Sequence, residues 1–237
     1  MRLSALLALA LGGVLAVPLL GGTDSPEPVA ETTTPTARVV LADAVPAPKL
    51  THARPRPKRA PGRPGELRVV PVAGARPAAG DAISYVVEVE GGLRVDPVRF
   101  VAVVRRMLRD PRGWSGGTGP RFRRVDSADA DLRIALASPA LTNTLCLPLL
   151  TNGIFSCAAG NRAVLNVMRW RHGAESYAGE PLSRYRVYMV NHEVGHVLGH
   201  AHAFCPAPGE PAPLMMQQTK GTDGCRPNPW PLPSERG

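Results

Sequence analysis

The eleven residues from His192 to His202, HEVGHVLGHAH, constrain this 237-residue chain more than any other segment. Two histidines four apart on an α-helix stand one above the other on one face. His192 and His196 can therefore present ring nitrogens to a single ion, with Glu193 beside the first. The third ligand decides what the backbone must do next. His200 follows the same helical line, but it lies about 12 Å further along the axis than His192 and cannot share an ion with it. Gly199 supplies the alternative. A glycine can take positive φ, end the helix and let Ala201 and His202 swing back beneath the metal. The spacing thus assigns His192, His196 and His202 as ligands, with His200 a surface or neighbouring group. A metal held by three neutral nitrogens, Zn2+ being the ion expected, keeps Lewis acidity and an open fourth position. Glu193 then reads as the general base at that position.

The elements around this segment follow from periodicity. A helix from a Ser183 cap to about Leu198 repeats Val187, Val190, Val194 and Val197 at buried spacing, and its stripe of Tyr185, Met189, His192 and His196 faces a cleft. Residues 83–91 alternate and are valine-rich, which predicts a strand ending at a Gly-Gly turn. Asp96 is placed to cap a helix starting at Pro97. Its apolar positions Phe100, Val101, Val104, Met107 and Leu108 are inward, with Arg105, Arg106 and Arg109 outward. Residues 120–126 and 131–137 read as two strands, and 162–170 as another, either an edge against which an extended peptide pairs or an interior strand. Trp170, Tyr177 and Tyr188 either line side pockets or pack the core. This order predicts an α+β fold in which helices pack on a sheet.

The remaining sequence speaks to location. Residues 3–20 form an uncharged apolar run, so 1–22 reads as a signal peptide or an N-terminal membrane anchor. Residues 23–66 hold nine prolines and no aromatic residue, too little apolar surface to offset ordering, and read as a Pro-rich linker. Its second half is basic, suited to an anionic envelope surface or simply to solvent. The formal charge of +9 comes with no nucleic-acid motif, so no specific nucleic acid is expected. Residues 67–237 then make the folded domain. The four cysteines behind a targeting segment imply disulfides, with the local pairs Cys146–Cys157 and Cys205–Cys225 favoured over a Cys-ligated metal. The chain is expected to be secreted or anchored at the outer face of the cytoplasmic membrane. Its oligomeric state is left open.

The segment H192-E-V-G-H196-V-L-G199-H-A-H202 resembles the signature of the metzincin clan of zinc metallopeptidases. More narrowly, it and residues 205–231 resemble a family of secreted or membrane-anchored actinobacterial proteins of uncharacterised function classed as metzincin-like. The resemblance implies a zincin domain: a twisted, mostly parallel sheet with an antiparallel edge strand, a backing helix, an active-site helix and a short irregular C-terminal part. It also implies a methionine turn within PAPLMMQQ (211–218), with Met215, or alternatively Met216, as an apolar floor under the ligands. The function it implies is a zinc-dependent endopeptidase that hydrolyses peptide bonds by Glu-assisted attack of zinc-bound water on a protein or peptide substrate. A cell-wall peptide amidase or peptidase, and a non-catalytic binding module on the same scaffold, are the alternatives. No tyrosine follows the turn and no cysteine precedes residue 146, so neither a tyrosine oxyanion donor nor a cysteine propeptide switch is expected.

Overall fold

A computed structural model describes residues 59–71, 80–127 and 129–236. Residues 1–22, expected to be a signal peptide or an anchor, and most of the expected linker lie outside the described residues. Packing starts ahead of the first strand, where buried Ala60 donates its N–H to the Leu93 carbonyl at 2.8 Å. Among the described residues no helix is long and apolar enough to cross a membrane.

The sheet is mixed. Strand β2 (Ile83–Glu90) pairs in parallel with β4 (Leu132–Ala137), and β4 in parallel with β6 (Arg162–Asn166). Strand β5 (Cys157–Ala159) closes one side, antiparallel to β6. On the other side β1 (Leu67–Val69) pairs antiparallel with one end of β2, and β3 (Phe122–Arg124) pairs in parallel with the other. Alternation sends Tyr85, Val87 and Val89 of β2 into the main core, together with Leu132, Ile134, Leu136 and Leu165. The helices α1 (Pro97–Leu108) and α4 (Leu182–Val197) pack on this same face. The α+β architecture with a mixed sheet is the expected one.

The opposite phase of β2 carries Glu88, 2 % exposed. Buried charge demands partners, and Arg133 of the adjacent β4 and Arg162 of β6, one strand further on, both reach this carboxylate. Glu90, also buried, accepts the backbone N–H of Gly65 at 2.8 Å. Polar residues in β2 thus mark its second face without interrupting the strand.

Helix α1 forms where its periodicity puts it. The Asp96 carboxylate accepts the N–H groups of Val98 and Arg99 at 3.0 and 3.2 Å, and the five apolar positions are buried. Two local expectations are corrected and one pair of alternatives is decided. The strand read over 162–170 ends at Asn166, whose side chain accepts the Met168 N–H at 3.0 Å and starts helix α3 (Val167–His172). The β-branched and aromatic residues there suit either state, and the cap decides. Strand β6 is also interior, flanked by β4 and β5, so the edge is β5. Ser183 caps nothing: α4 begins one residue earlier, behind Pro181, with no side-chain cap. Directly after β4, helix α2 (Pro139–Leu145) is capped by the Ser138 hydroxyl, which accepts the Leu141 N–H.

Both disulfides form as expected, with Cα–Cα distances of 6.1 Å for Cys146–Cys157 and 5.8 Å for Cys205–Cys225. The first closes the loop between α2 and β5, and the second ties the segment after α4 to the C-terminal part.

Candidate metal centre

Helix α4 runs through the core, with Tyr185, Met189, Val190 and Val194 all buried. Its last turn leaves the core and ends in two hydrogen bonds: Gly199 N–H to the His196 carbonyl and His200 N–H to the Gly195 carbonyl, both at 3.0 Å. This is the Schellman arrangement. Gly199 has φ +96° with open space where a Cβ would stand, so its requirement is conformational and not steric. The chain then reverses, and the Ala203 N–H bonds the Met215 carbonyl at 3.1 Å.

That reversal brings His192, His196 and His202 together, each offering one ring nitrogen within 4.8 Å of the others. The hydrogen bonds on the far side of two rings set their tautomers. His192 Nδ1 lies 2.9 Å from the Leu214 carbonyl, and His196 Nδ1 lies 2.8 Å from the His200 carbonyl. A carbonyl only accepts, so each Nδ1 carries the proton and each Nε2 keeps its lone pair. The His196 and His202 Nε2 atoms face each other at 3.0 Å. Nitrogens held about 2.0–2.1 Å from one tetrahedral ion lie roughly 3.4 Å apart, so a shared cation fits this spacing. Burial favours the neutral, ligating form: it pushes His192 down to about 3 and holds His196 and His202 below the ordinary imidazole range. The charge of Lys220 adds to the effect on His202.

His200 takes no place in the cluster. Its ring stacks on Trp114 at 4.2 Å, and its contribution to the site is its backbone carbonyl. Trp114 is buried and donates Nε1–H to the Asn191 carbonyl at 2.8 Å, bracing α4 one residue before His192.

Below the helix, Met215 is 2 % exposed and lies in the main core, whereas Met216 belongs to a small cluster with Ala212 and the Cys205–Cys225 bridge. A Cβ on Gly195 would stand 2.5 Å from the Met215 sulfur and 2.7 Å from the Trp114 ring. Helix and turn are therefore in contact through a glycine, and of the two methionines Met215 is the one packed against α4. The turn is held by a residue that the sequence did not single out. Glu235 accepts the N–H groups of Leu214, Met215 and Leu232 at 2.9, 2.8 and 2.7 Å. Leu214 in turn carries the carbonyl that orients His192. Replacing Glu235 by alanine orphans the N–H groups of two buried residues. It is expected to destabilise the metal-free domain by about 2–4 kcal/mol, read from urea unfolding midpoints.

The three histidines open into a cavity of about 520 Å³. Its lining includes β5 and the loop before it, Tyr188 and Glu193 of α4, and Gln217, Thr219 and Lys220 beyond the turn. Two expectations for the cleft-facing stripe change here. Tyr185 and Met189 pack in the core, and Tyr188 lines the cavity with its hydroxyl on the Met216 carbonyl at 3.0 Å. Trp170 and Tyr177 are core residues, Trp170 meeting Phe100 edge-on at 4.9 Å.

Glu193 requires the larger correction. The ligating cluster consists of three imidazoles and contains no glutamate. Glu193 is 6 % exposed, and burial pushes its carboxyl up to about 8, so near neutral pH it is mostly the protonated acid. That protonation state belongs to the metal-free domain; what contradicts the expected Glu-assisted mechanism is that the metal-holding cluster is made of His192, His196 and His202 alone. The expected Glu-assisted endopeptidase is set aside on that ground.

Fold and site together define an α+β domain with a three-histidine centre able to bind a metal at the floor of a cleft. The chain belongs to the DUF3152 family, described as a protein of unknown function, whose match spans residues 58–226. No curated protein matches the sequence. The family match covers the three histidines and the methionine turn and stops short of Glu235.

Proposed function

We propose that this domain is a zinc-binding hydrolase of the metallopeptidase class on a metzincin-like scaffold, working outside the cytoplasm on a protein or peptide substrate. One observation carries the reading: three neutral imidazoles converge on one point at the floor of an open cleft. Nitrogen-only ligation at this spacing suits zinc better than magnesium or calcium, which prefer oxygen. When bound, the ion supplies Lewis acidity toward a substrate carbonyl. The protein residues do the rest by position. The Leu214 and His200 carbonyls fix two of the rings, and Met215 and Trp114 hold the helix that carries them. The two disulfides support an oxidising compartment, and the apolar run near the N-terminus supports export.

The test is metal analysis of the purified full chain, followed by exposure to a mixed peptide library with and without a chelator. About one zinc per chain and cleavage that stops on chelation and returns with zinc are expected. A chain that takes up no zinc at micromolar concentration overturns the reading.

A further inference from the structure

The walls of the cleft narrow what can lie in it. Of the exposed large apolar side chains among the described residues, Leu147, Leu149, Leu150 and Ile154 all fall in the loop closed by Cys146–Cys157. Leu149 and Leu150, with Phe155, line the cavity holding the histidines. Leu150 is 80 % exposed. Apolar surface gathered at the lip of a pocket gains when a ligand covers it.

Lys220 lines the same cavity from the segment beyond the methionine turn. Its Nζ lies 5.4 Å from the Phe155 ring centre and 3.2 Å from the Gln217 Oε1. The two segments that line the cleft, 65 positions apart in sequence, therefore meet at this cation. The salt bridges among the described residues do not include Lys220. The one acid lining the cavity, Glu193, is buried at its floor. An ammonium in this position has a neutral amide and a ring face for company and is open to solvent.

A cation where two walls meet, an apolar lip beside it and a metal-binding floor together describe one ligand. We propose that the cleft receives the free C-terminus of a peptide whose last residue is large and apolar. Lys220 pairs with the α-carboxylate, and Leu149, Leu150 and Phe155 cover the side chain. The chain runs from there toward the three histidines. The proposal rests on the zinc-binding reading above and adds to it a ligand class: chain ends, not chain interiors.

The experiment measures binding by calorimetry to the zinc-loaded full chain, with zinc content determined in every sample. The probes are short acetylated peptides ending in leucine as the free acid, leucine as the amide, or aspartate as the free acid. The leucine acid is expected to bind about tenfold tighter than its amide, the size of one charge-assisted contact. Lys220→Met is expected to reduce that preference below about twofold with zinc content unchanged, and Lys220→Arg to keep it. Leu150→Ser is expected to weaken the leucine acid several-fold and leave the aspartate acid unaffected. Equal binding of acid and amide by a zinc-loaded wild type overturns the chain-end proposal alone, as does a preference that survives Lys220→Met. A wild type without zinc overturns the reading beneath it and the proposal together.

Discussion

Replacing His202 by alanine is expected to strip the domain of zinc and leave its fold standing. His202 is exposed, and among the described residues its hydrogen-bond partner is the His196 ring, so the core loses little when its side chain is removed. The loss falls on the metal. Structural zinc sites with four ligands bind with about 10–16 kcal/mol, so one ligand accounts for roughly 3–4 kcal/mol, or a few hundredfold in affinity. The control sits two residues away. His200→Ala removes a ring stacked on Trp114 but keeps the backbone carbonyl that accepts from His196 Nδ1. Zinc affinity should then hold within about twofold, because neither the ligand set nor its tautomers change. Competition with a chromogenic chelator measures both variants. Zinc retained in full by the alanine variant at 202, or lost in the variant at 200, would falsify the ligand assignment.

The contrast between these two histidines shows what the sequence made legible. Helical rise alone separates His200 from His192, and a single glycine explains why the chain turns back at His202. Both arguments are local, and the Schellman bonds at Gly199 realise them. Helix α1 was equally readable, because its apolar stripe, Asp96 cap and first-turn proline agree with one another. The disulfides were readable because each closes a short loop. What escaped was set by contacts between distant residues. Trp114 braces α4 across 77 positions, and Glu235 holds the methionine turn across about 20. No period or spacing joins such pairs. The start of α3 was missed for a different reason. Val167, Met168 and Trp170 fit a strand as well as a helix, and one Asn166 side chain settles the matter. Glu193 is the instructive failure. Its place beside His192 was correct, but its protonation state follows from how deeply the surrounding fold buries it.

That burial has a measurable consequence for the metal-free protein. Glu193 is raised from an ordinary 4.5 to about 8, so the folded state keeps a proton that the unfolded chain releases. Stability therefore falls as pH rises from 4.5 to 8. His192 behaves oppositely. It is lowered from 6.5 to about 3, so the unfolded chain takes up a proton that the folded state refuses, and stability falls as pH drops from 6.5 to 3. His196 and His202, also lowered, act in the same sense as His192. Between 4.5 and 6.5 the Glu193 and His192 slopes cancel and the other two histidines tilt the balance upward, so stability peaks near pH 6.5. Each pH unit on one fully expressed slope is worth about 1.4 kcal/mol; with Glu193 half-titrated at pH 8 and the last of the histidine titration offsetting it, the net loss between pH 6.5 and 8 is about 1 kcal/mol. Glu193→Gln keeps the shape and removes the titration. Urea unfolding under chelation should show the alkaline decline in the wild type and a flat profile from pH 6.5 to 8 in the variant, with the acid decline present in both. An alkaline decline of the same size in the glutamine variant would mean that some other group carries it. Glu193 would then be charged at neutral pH in the metal-free protein.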